Sequence, residues 1–498
     1  MASPPADPTS YLWHDYETFG ADPRRDRPAQ FAAIRTDAAF NEIGDPVTLY
    51  CQPADDFLPQ PQACMITGIT PQQARRRGLP EAEFAGRIES LMSEPGTCSL
   101  GYNSLRFDDE VSRHLFYRSF IDPYAREWQN GNSRWDLIDV VRAFHALRPA
   151  GIEWPKRDDG SPSFRLEALT AANGIEHVGA HDALSDVRAT IALARLLDAR
   201  NPRLFAYLRG LRRKREVAKL LDLPGRKPVL HISRRYPASR GCSALVMPLA
   251  EHPTNSNGVI VYDLSVDPTP LFDLDAGQIR DRVFVSNDDL AEGAERIPLK
   301  VIHINRSPVL FPATALKDVE GASKGEYGEI VTRLGLDVAA CREHWKRLAA
   351  RPEVASRVVE VFAAPPPEPP RDPDLMLYSG GFFSPADRQQ MQRVRETDPW
   401  DLVDARFAFQ DPRLEEMLFR YRARSYPETL ESDEQARWDA FRWERINDSD
   451  LSSLTLQGFA REIERLNGVA LGDRDRQVLE ELVMHVEAIM PSQAFDTD

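Results

Sequence analysis

Two periodicities alternate along the first 200 residues. Strand-like runs rich in β-branched and aromatic residues occupy residues 11–17, 30–36 and 48–52. Helical spacing then takes over at 81–93, 108–120, 133–147, 164–173 and 182–199. In the second helix Phe107, Val111 and Leu115 recur every four residues, and in the last Val187, Ile191 and Ala194 mark one face. Strands followed by amphipathic helices predict an α/β domain with a mixed sheet. Residues 66–71, ITGITP, end in a turn at Pro71 that begins a further helix.

After residue 200 the pattern changes. A basic helix leads into short β-branched runs at 228–232, 244–249, 259–264 and 300–304, bounded by Pro, Asn, Asp and Gly, which predicts a small barrel or a strongly bent sheet. Residues 363–374, AAPPPEPPRDPD, favour extended polyproline geometry and read as a spacer that does not itself fold. Beyond it, helices are expected at 412–424, 432–446, 454–466 and 473–490, where Val478, Leu482 and Ile489 keep helical spacing. The expected division is therefore 1–200, 201–362, a linker at 363–374, and a helical domain at 375–498.

Composition fits this picture. A chain of 498 residues exceeds one hydrophobic core and suggests about three domains, and 42% apolar content with a mean hydropathy of −0.44 is that of a soluble globular protein. No run reaches the ~20 apolar residues of a membrane span, and MASPPADPTS lacks the basic start and apolar core of a signal peptide, so a cytoplasmic location is expected. Cys51, Cys64, Cys98, Cys242 and Cys341 are scattered and contain no C-x-x-C pair, which indicates neither a disulfide framework nor a zinc site.

Net charge changes the picture only through its distribution. A total of −15 argues against a polyanionic partner, yet residues 201–235 hold eleven Lys or Arg against Glu216 and Asp222. That strip of +9 on an otherwise acidic chain can steer a nucleic-acid strand along one path, although a solvated helix and linker would look the same.

The candidate chemistry lies in three segments. Asp15 and Glu17, two apart on a strand, emerge on one face, where adjacent carboxylates invite a cation that prefers oxygen ligands. Alone, such a pair also fits an edge strand facing water. Asp108, in GYNSLRFDDEV, opens a helix and can project at the end of the strand bearing Asp15; alone, it is an ordinary acid of a helix's first turn. His181 precedes the last helix of the region and Asp186 lies in its early turns. A histidine there can accept a proton near neutral pH, so His181 suits the activation of a metal-bound water, whereas a lone loop histidine is merely solvated.

The order D-x-E, N-x-x-x-F-D, H-x-x-x-x-D resembles the DEDDh class of 3′→5′ exonucleases. HDYETFG, DRPAQFAAIRTD, ITGITP, GYN-x-x-RFDDEV, NSRWDL, PSFRLE and NGIEH resemble bacterial exonuclease I, as do VIHINRSPVL (301–310) and LFRYRARSYPETL (418–430). The resemblance implies a ribonuclease H-like exonuclease domain, an SH3-like β-barrel domain and a helical C-terminal domain. It further implies processive 3′→5′ degradation of single-stranded DNA to 5′-mononucleotides, with a role in DNA repair and recombination. Asp15, Glu17, Asp108 and Asp186 would ligate two Mg²⁺ ions, or Mn²⁺, and His181 would be the general base. Two metals roughly 4 Å apart stabilise both the attacking and the departing oxygen. Phe19 replaces the second Thr of the commoner D-x-E-T-T-G pattern and would bear on seating of the terminal nucleotide.

The resemblance also implies strand contacts at Glu17, Arg113, Tyr124, Trp128, Arg142, Arg165, Lys219 and Asn257. A monomer is expected, with the acidic and hydrophobic tail of single-stranded DNA-binding protein as a partner and Arg148, Tyr207 and Lys227 as its contacts. The three domains together would clasp a strand, so removal of residues 375–498 should leave nuclease chemistry but shorten each processive run. Two rivals stand beside this reading: an exoribonuclease of the same class, since sugar discrimination depends on the space beside the 2′-oxygen, and a non-catalytic strand-binding scaffold, which would be expected to have lost ligands.

Overall fold

The computed structural model describes residues 8–177, 179, 181–286, 288–290, 293–317, 328–363 and 368–491. In chain order, β1 (Ser10–Thr18), β2 (Pro28–Thr36) and β3 (Val47–Tyr50) precede α1 (Pro61–Thr67), α2 (Pro71–Arg77) and α3 (Glu81–Met92). Next come β4 (Thr97–Gly101), α4 (Asp108–Arg118), β5 (Ser133–Asp136), α5 (Leu137–Leu147), α6 (Leu166–Ala172) and α7 (Ala183–Arg200). The middle of the chain holds α8 (Pro202–Gly210), α9 (Lys214–Leu220), β6 (Val229–Ile232), β7 (Ser243–Glu251), β8 (Gly258–Asp263), α10 (Thr269–Asp273), α11 (Ala276–Phe284), β9 (Leu299–His303) and β10 (Val309–Pro312). The remainder is helical: α12 (Glu329–Arg333), α13 (Val338–Ala349), α14 (Val354–Phe362), α15 (Pro385–Glu396), α16 (Arg413–Ser425), α17 (Ser432–Asn447), α18 (Leu456–Asn467) and α19 (Asp473–Ile489).

These elements form two compact units. One comprises the chain up to Ser133, His177–Ile191 and everything from Glu368 onward; the other comprises Arg134–Glu176 and Ala192–Pro367. In the first unit the strands run β3-β2-β1-β4, with β1 antiparallel to β2 and parallel to β4, the expected mixed sheet. Strand alternation divides β1. Leu12 and Tyr16 point into a core with Phe31 and Ala33 of β2 and with Phe84, Ile88, Val111, Leu115 and Phe116 of α3 and α4. The opposite parity carries Asp15 and Glu17.

Residues 133–147 are not one helix, as the periodicity predicts, because Asp136 accepts a hydrogen bond from Ile138 N–H at 3.0 Å and so fixes the helix start at Leu137, leaving 133–136 as β5. Helix α15 has no counterpart among the expected elements, although Ser384 accepting from Asp387 N–H, with Pro385 at the first helical position, is a recognisable start.

The largest departure concerns the C-terminal region. It is folded into the same unit as the catalytic strand. Phe19, Phe57, Leu58, Cys64 and Ile69 share one core with Phe459, Leu466, Val478, Leu482 and Ile489 of α18 and α19. Tyr117 and Phe120 pack with Met391, Val394, Leu414 and Met417 of α15 and α16. Beneath them the fully buried Asp56 receives Arg27 at 3.2 Å and Arg424 and Arg445 at 2.9 Å each. Of the proline-rich stretch, residues 364–367 lie outside the described residues, but Asp372 and Asp374 are buried and accept from Arg420 at 2.6 and 3.1 Å. The end of the supposed spacer is thus part of the core.

The second unit contains a five-stranded antiparallel sheet in the order β10-β6-β7-β8-β9, with a register shift between Pro248 and Ala250. Every residue of β6 and β8 is buried. All five cysteines of the chain are buried and none forms a disulfide.

Candidate active site

Asp15 and Glu17 emerge from the same face of β1, and α4 delivers the third carboxylate to them. Asp108, the first residue of α4 and only 2% exposed, accepts a hydrogen bond from Tyr16 N–H at 3.0 Å, which ties it to the peptide between the two strand acids. Its neighbour Asp109 is differently employed, paired with buried Arg126 at 2.7 Å. Asp186, one turn into α7, adds a fourth acid, and its Oδ1 lies 2.5 Å from Nε2 of His177.

Crowding is written into the acidities. Burial first, then Asp108, Glu17, Asp186 and Asp182, raises Asp15 well above an ordinary carboxylate. Burial followed by Asp186, Asp108 and Asp182 pushes Glu17 up to about 9. Like charges brought together in a desolvated site take up protons unless a cation relieves them. The donors are hard oxygens from three chain segments, which fits Mg²⁺ or Mn²⁺ far better than a soft metal.

His181 occupies the turn before α7 with φ of +71°, a left-handed conformation that histidine tolerates better than most side chains. Donor atoms of Glu17, His181 and Asp186 all lie within 4.8 Å of one another. The three sequence segments therefore converge. Phe19 does not face this site: it is wholly buried, 5.7 Å from the ring of Phe57, so it serves the core beneath α18 and α19 instead of a nucleotide.

The remaining candidates separate into exposed and buried groups. In the first unit Trp128 is 66% exposed and Tyr124 half-buried. Arg113 is buried, with Glu127 at 2.8 Å, Glu110 at 2.6 Å and the Tyr378 hydroxyl at 3.1 Å, so its charge is already answered within the protein. In the second unit Arg142 is likewise buried against Asp139 at 2.5 Å. Arg165 and Lys219 are exposed, Lys219 pairing with Glu216 at 2.7 Å, and Asn257 is half-buried in the turn before β8. Arg148 and Lys227 are exposed, and Tyr207 donates its hydroxyl proton to Leu310 O at 2.8 Å while stacking on Phe311.

Three family models match in succession: Exonuclease at residues 12–194, Exonuclease I SH3-like domain at 212–364, and Exonuclease I C-terminal domain at 371–489. Exodeoxyribonuclease I of Escherichia coli strain K12 is 50% identical over 472 residues, covering 95% of this chain and 96% of the relative. This chain belongs to the exonuclease I family. Among solved structures, E. coli exonuclease I in complex with a dA16 oligonucleotide matches with a TM-score of 0.91 and 49% identity, over 97% of this chain and all of that one. The zinc-bound form of the E. coli enzyme's single-stranded DNA complex matches with a TM-score of 0.90 and 48% identity, over 97% and 99%.

As a member of the exonuclease I family the chain is a nuclease with a ribonuclease H-like exonuclease domain, an SH3-like domain and the family's C-terminal domain. Among the described residues no helix is long and apolar enough to cross a membrane. His177 closes the NGIEH segment, where nothing in the sequence marks a role for it. Its position nine residues before Asp186 carries no local periodicity, so the hydrogen bond between them becomes visible only in three dimensions.

Proposed function

We propose that this exonuclease I family member is a processive 3′→5′ exodeoxyribonuclease that releases 5′-mononucleotides from single-stranded DNA. The observation that carries the reading is the convergence of Glu17, His181 and Asp186 donors within 4.8 Å, beside Asp15 and Asp108. Asp15, Glu17, Asp108 and Asp186 are the residues that would hold two divalent ions, with Mg²⁺ or Mn²⁺ as the fitting metals. Such ions, when bound, stabilise negative charge on the attacking and leaving oxygens of a phosphodiester. His181, at the rim of the carboxylates, takes a proton from the attacking water onto a ring nitrogen. Asp108, locked to β1, and Asp186, held by His177, keep the acidic cluster in place without rearrangement.

Strand binding is supported by the exposed Trp128 ring and by the exposed Arg203, Lys214, Arg215, Lys219, Arg234 and Arg235 of the basic strip. The E. coli relative seen with an oligonucleotide supports DNA as substrate. We extend the reading to the family's expected setting, the cytoplasm, DNA repair and the tail of single-stranded DNA-binding protein, with a monomeric enzyme and domains near 1–200, 201–362 and 375–498. Five buried cysteines, none in a disulfide, suit a reducing compartment.

The test compares mononucleotide release from 3′-labelled single-stranded DNA, duplex DNA and RNA, with Mg²⁺ and with chelator, for wild type and His181→Ala. Metal-dependent release from single-stranded DNA, cut to a small residual single-turnover rate in His181→Ala, is expected. Preferential release from RNA would overturn the substrate, and full activity of the variant would remove His181 from the base role.

A further inference from the structure

The DRPAQFAAIRTD segment contributes β2, and one of its residues has no part in the chemistry described so far. Gln30 stands directly opposite Glu17 in the β1-β2 ladder and opposite Tyr50 in the β2-β3 ladder. Directly paired positions share a face of the sheet, so the Gln30 amide lies on the face that carries the acidic cluster. It is 1% exposed. Its Oε1 accepts from Ala183 N–H at 3.3 Å, the first amide of α7. Its Nε2 donates to the Tyr50 hydroxyl at 2.8 Å and to Asp182 Oδ1 at 3.4 Å. Asp182 in turn accepts from Ser185 N–H through its other oxygen at 3.3 Å.

We infer that Gln30 is a positioning residue for His181, fixing the turn that presents the general base. Residues 182 and 183 immediately follow His181, and both are held by this one amide. A histidine at φ of +71° keeps that backbone only where the surroundings hold it. The first amides of a helix have no partner within it, so a side chain that satisfies one also sets where the helix begins. Gln30 supplies an acceptor to the helix start and a donor to the capping carboxylate, a combination that neither a carboxylate nor an apolar side chain can offer. Tyr50 completes the arrangement: its hydroxyl orients the amide, and the Arg77 guanidinium lies 3.9 Å over its ring.

The inference rests on His181 acting as the base, and a double-mutant cycle separates the two claims. Single-turnover rates on single-stranded DNA are measured for wild type, Gln30→Met, His181→Ala and the double variant, with KM and melting temperature for each. Gln30→Met is expected to lower kcat about 10- to 100-fold with KM changed less than about threefold. In the His181→Ala background the same change should cost less than about twofold, because the base it positions is gone. Tyr50→Phe, which removes one oxygen and leaves the core filled, should lower kcat a few-fold by the same route and decides the matter should Gln30→Met fold poorly. An equal loss in both backgrounds, or an unchanged kcat in Gln30→Met or in Tyr50→Phe, would overturn the inference. Full activity in His181→Ala alone would instead defeat the base assignment.

Discussion

Replacing Asp56 with asparagine removes the carboxylate that three buried guanidiniums share, leaving Arg424 only Asp374 at 2.5 Å and Arg27 only Glu81 at 3.8 Å. Arg27, Arg424 and Arg445 reach its Oδ2 at 3.2, 2.9 and 2.9 Å, and all four side chains are 2% exposed or less. Removing one partner of such a buried group costs about 3–5 kcal/mol, because the cations left behind have already lost their water. With an unfolding entropy of about 2.1 cal/mol/K per residue, a unit of this size converts that into a melting temperature lower by roughly 5–9 °C. The three arginines, which outweigh burial, hold the Asp56 carboxyl below its ordinary range. A depressed pKa contributes stability in full above the unfolded value of 3.8, and loses it as pH falls below that value toward the folded one. Differential scanning calorimetry should therefore show the full gap between wild type and Asp56→Asn at pH 7, narrowing below about pH 4. A shift under 1 °C at pH 7 would refute the argument that this network binds α16 and α17 to the catalytic half of the unit.

Three further outcomes follow from the same structure. A chain ending at residue 374 should fail to fold as a nuclease, because it bares Phe19, Phe57 and Ile69 and takes Arg424 and Arg445 from Asp56; a soluble, active truncation would contradict the shared core. Glu17, raised to about 9, favours the folded state below its unfolded value of 4.5 and loses that contribution as pH climbs through 9, so the chelated protein should melt at progressively lower temperature between pH 6 and 9, while saturating Mg²⁺ or Glu17→Gln flattens the slope. Trp128→Ala should weaken single-stranded DNA binding by about 1–3 kcal/mol in equilibrium titrations with no change in melting temperature, whereas Arg113→Ala should lower the melting temperature by several degrees, since it removes the buried cation that Glu127 and Glu110 share.

Part of the acidic cluster was readable from local rules, since alternation sets Asp15 beside Glu17 and a helix start places Asp108 in its first turn, while the full set of four was implied by the resemblance. Buried partnerships obey no such rule. Arg113 pairs with Glu127 and touches Tyr378, 265 positions away, contacts that no local pattern announces. The same blindness affects Phe19, whose departure from a motif looked like a substrate feature but is a packing choice imposed by α18 and α19. The proline-rich stretch signalled a boundary, and the chain does change character there, yet its end forms a short 3-10 turn at Pro373–Leu375, and Asp372 and Asp374 are drawn into the core by Arg420. Gln30 escaped notice for a related reason: its partners Tyr50 and Asp182 lie 20 and 152 residues away.

The central claim is that acids from three distant segments act together on divalent ions. Calorimetric titration of Mn²⁺ into wild type and Asp186→Asn tests it most directly. Two ions per wild-type chain, with at least one lost in the variant and nuclease activity lost alongside, is the predicted result. Unchanged stoichiometry and affinity in Asp186→Asn would contradict it, since the carboxylate on α7 would then take no part in holding the metal.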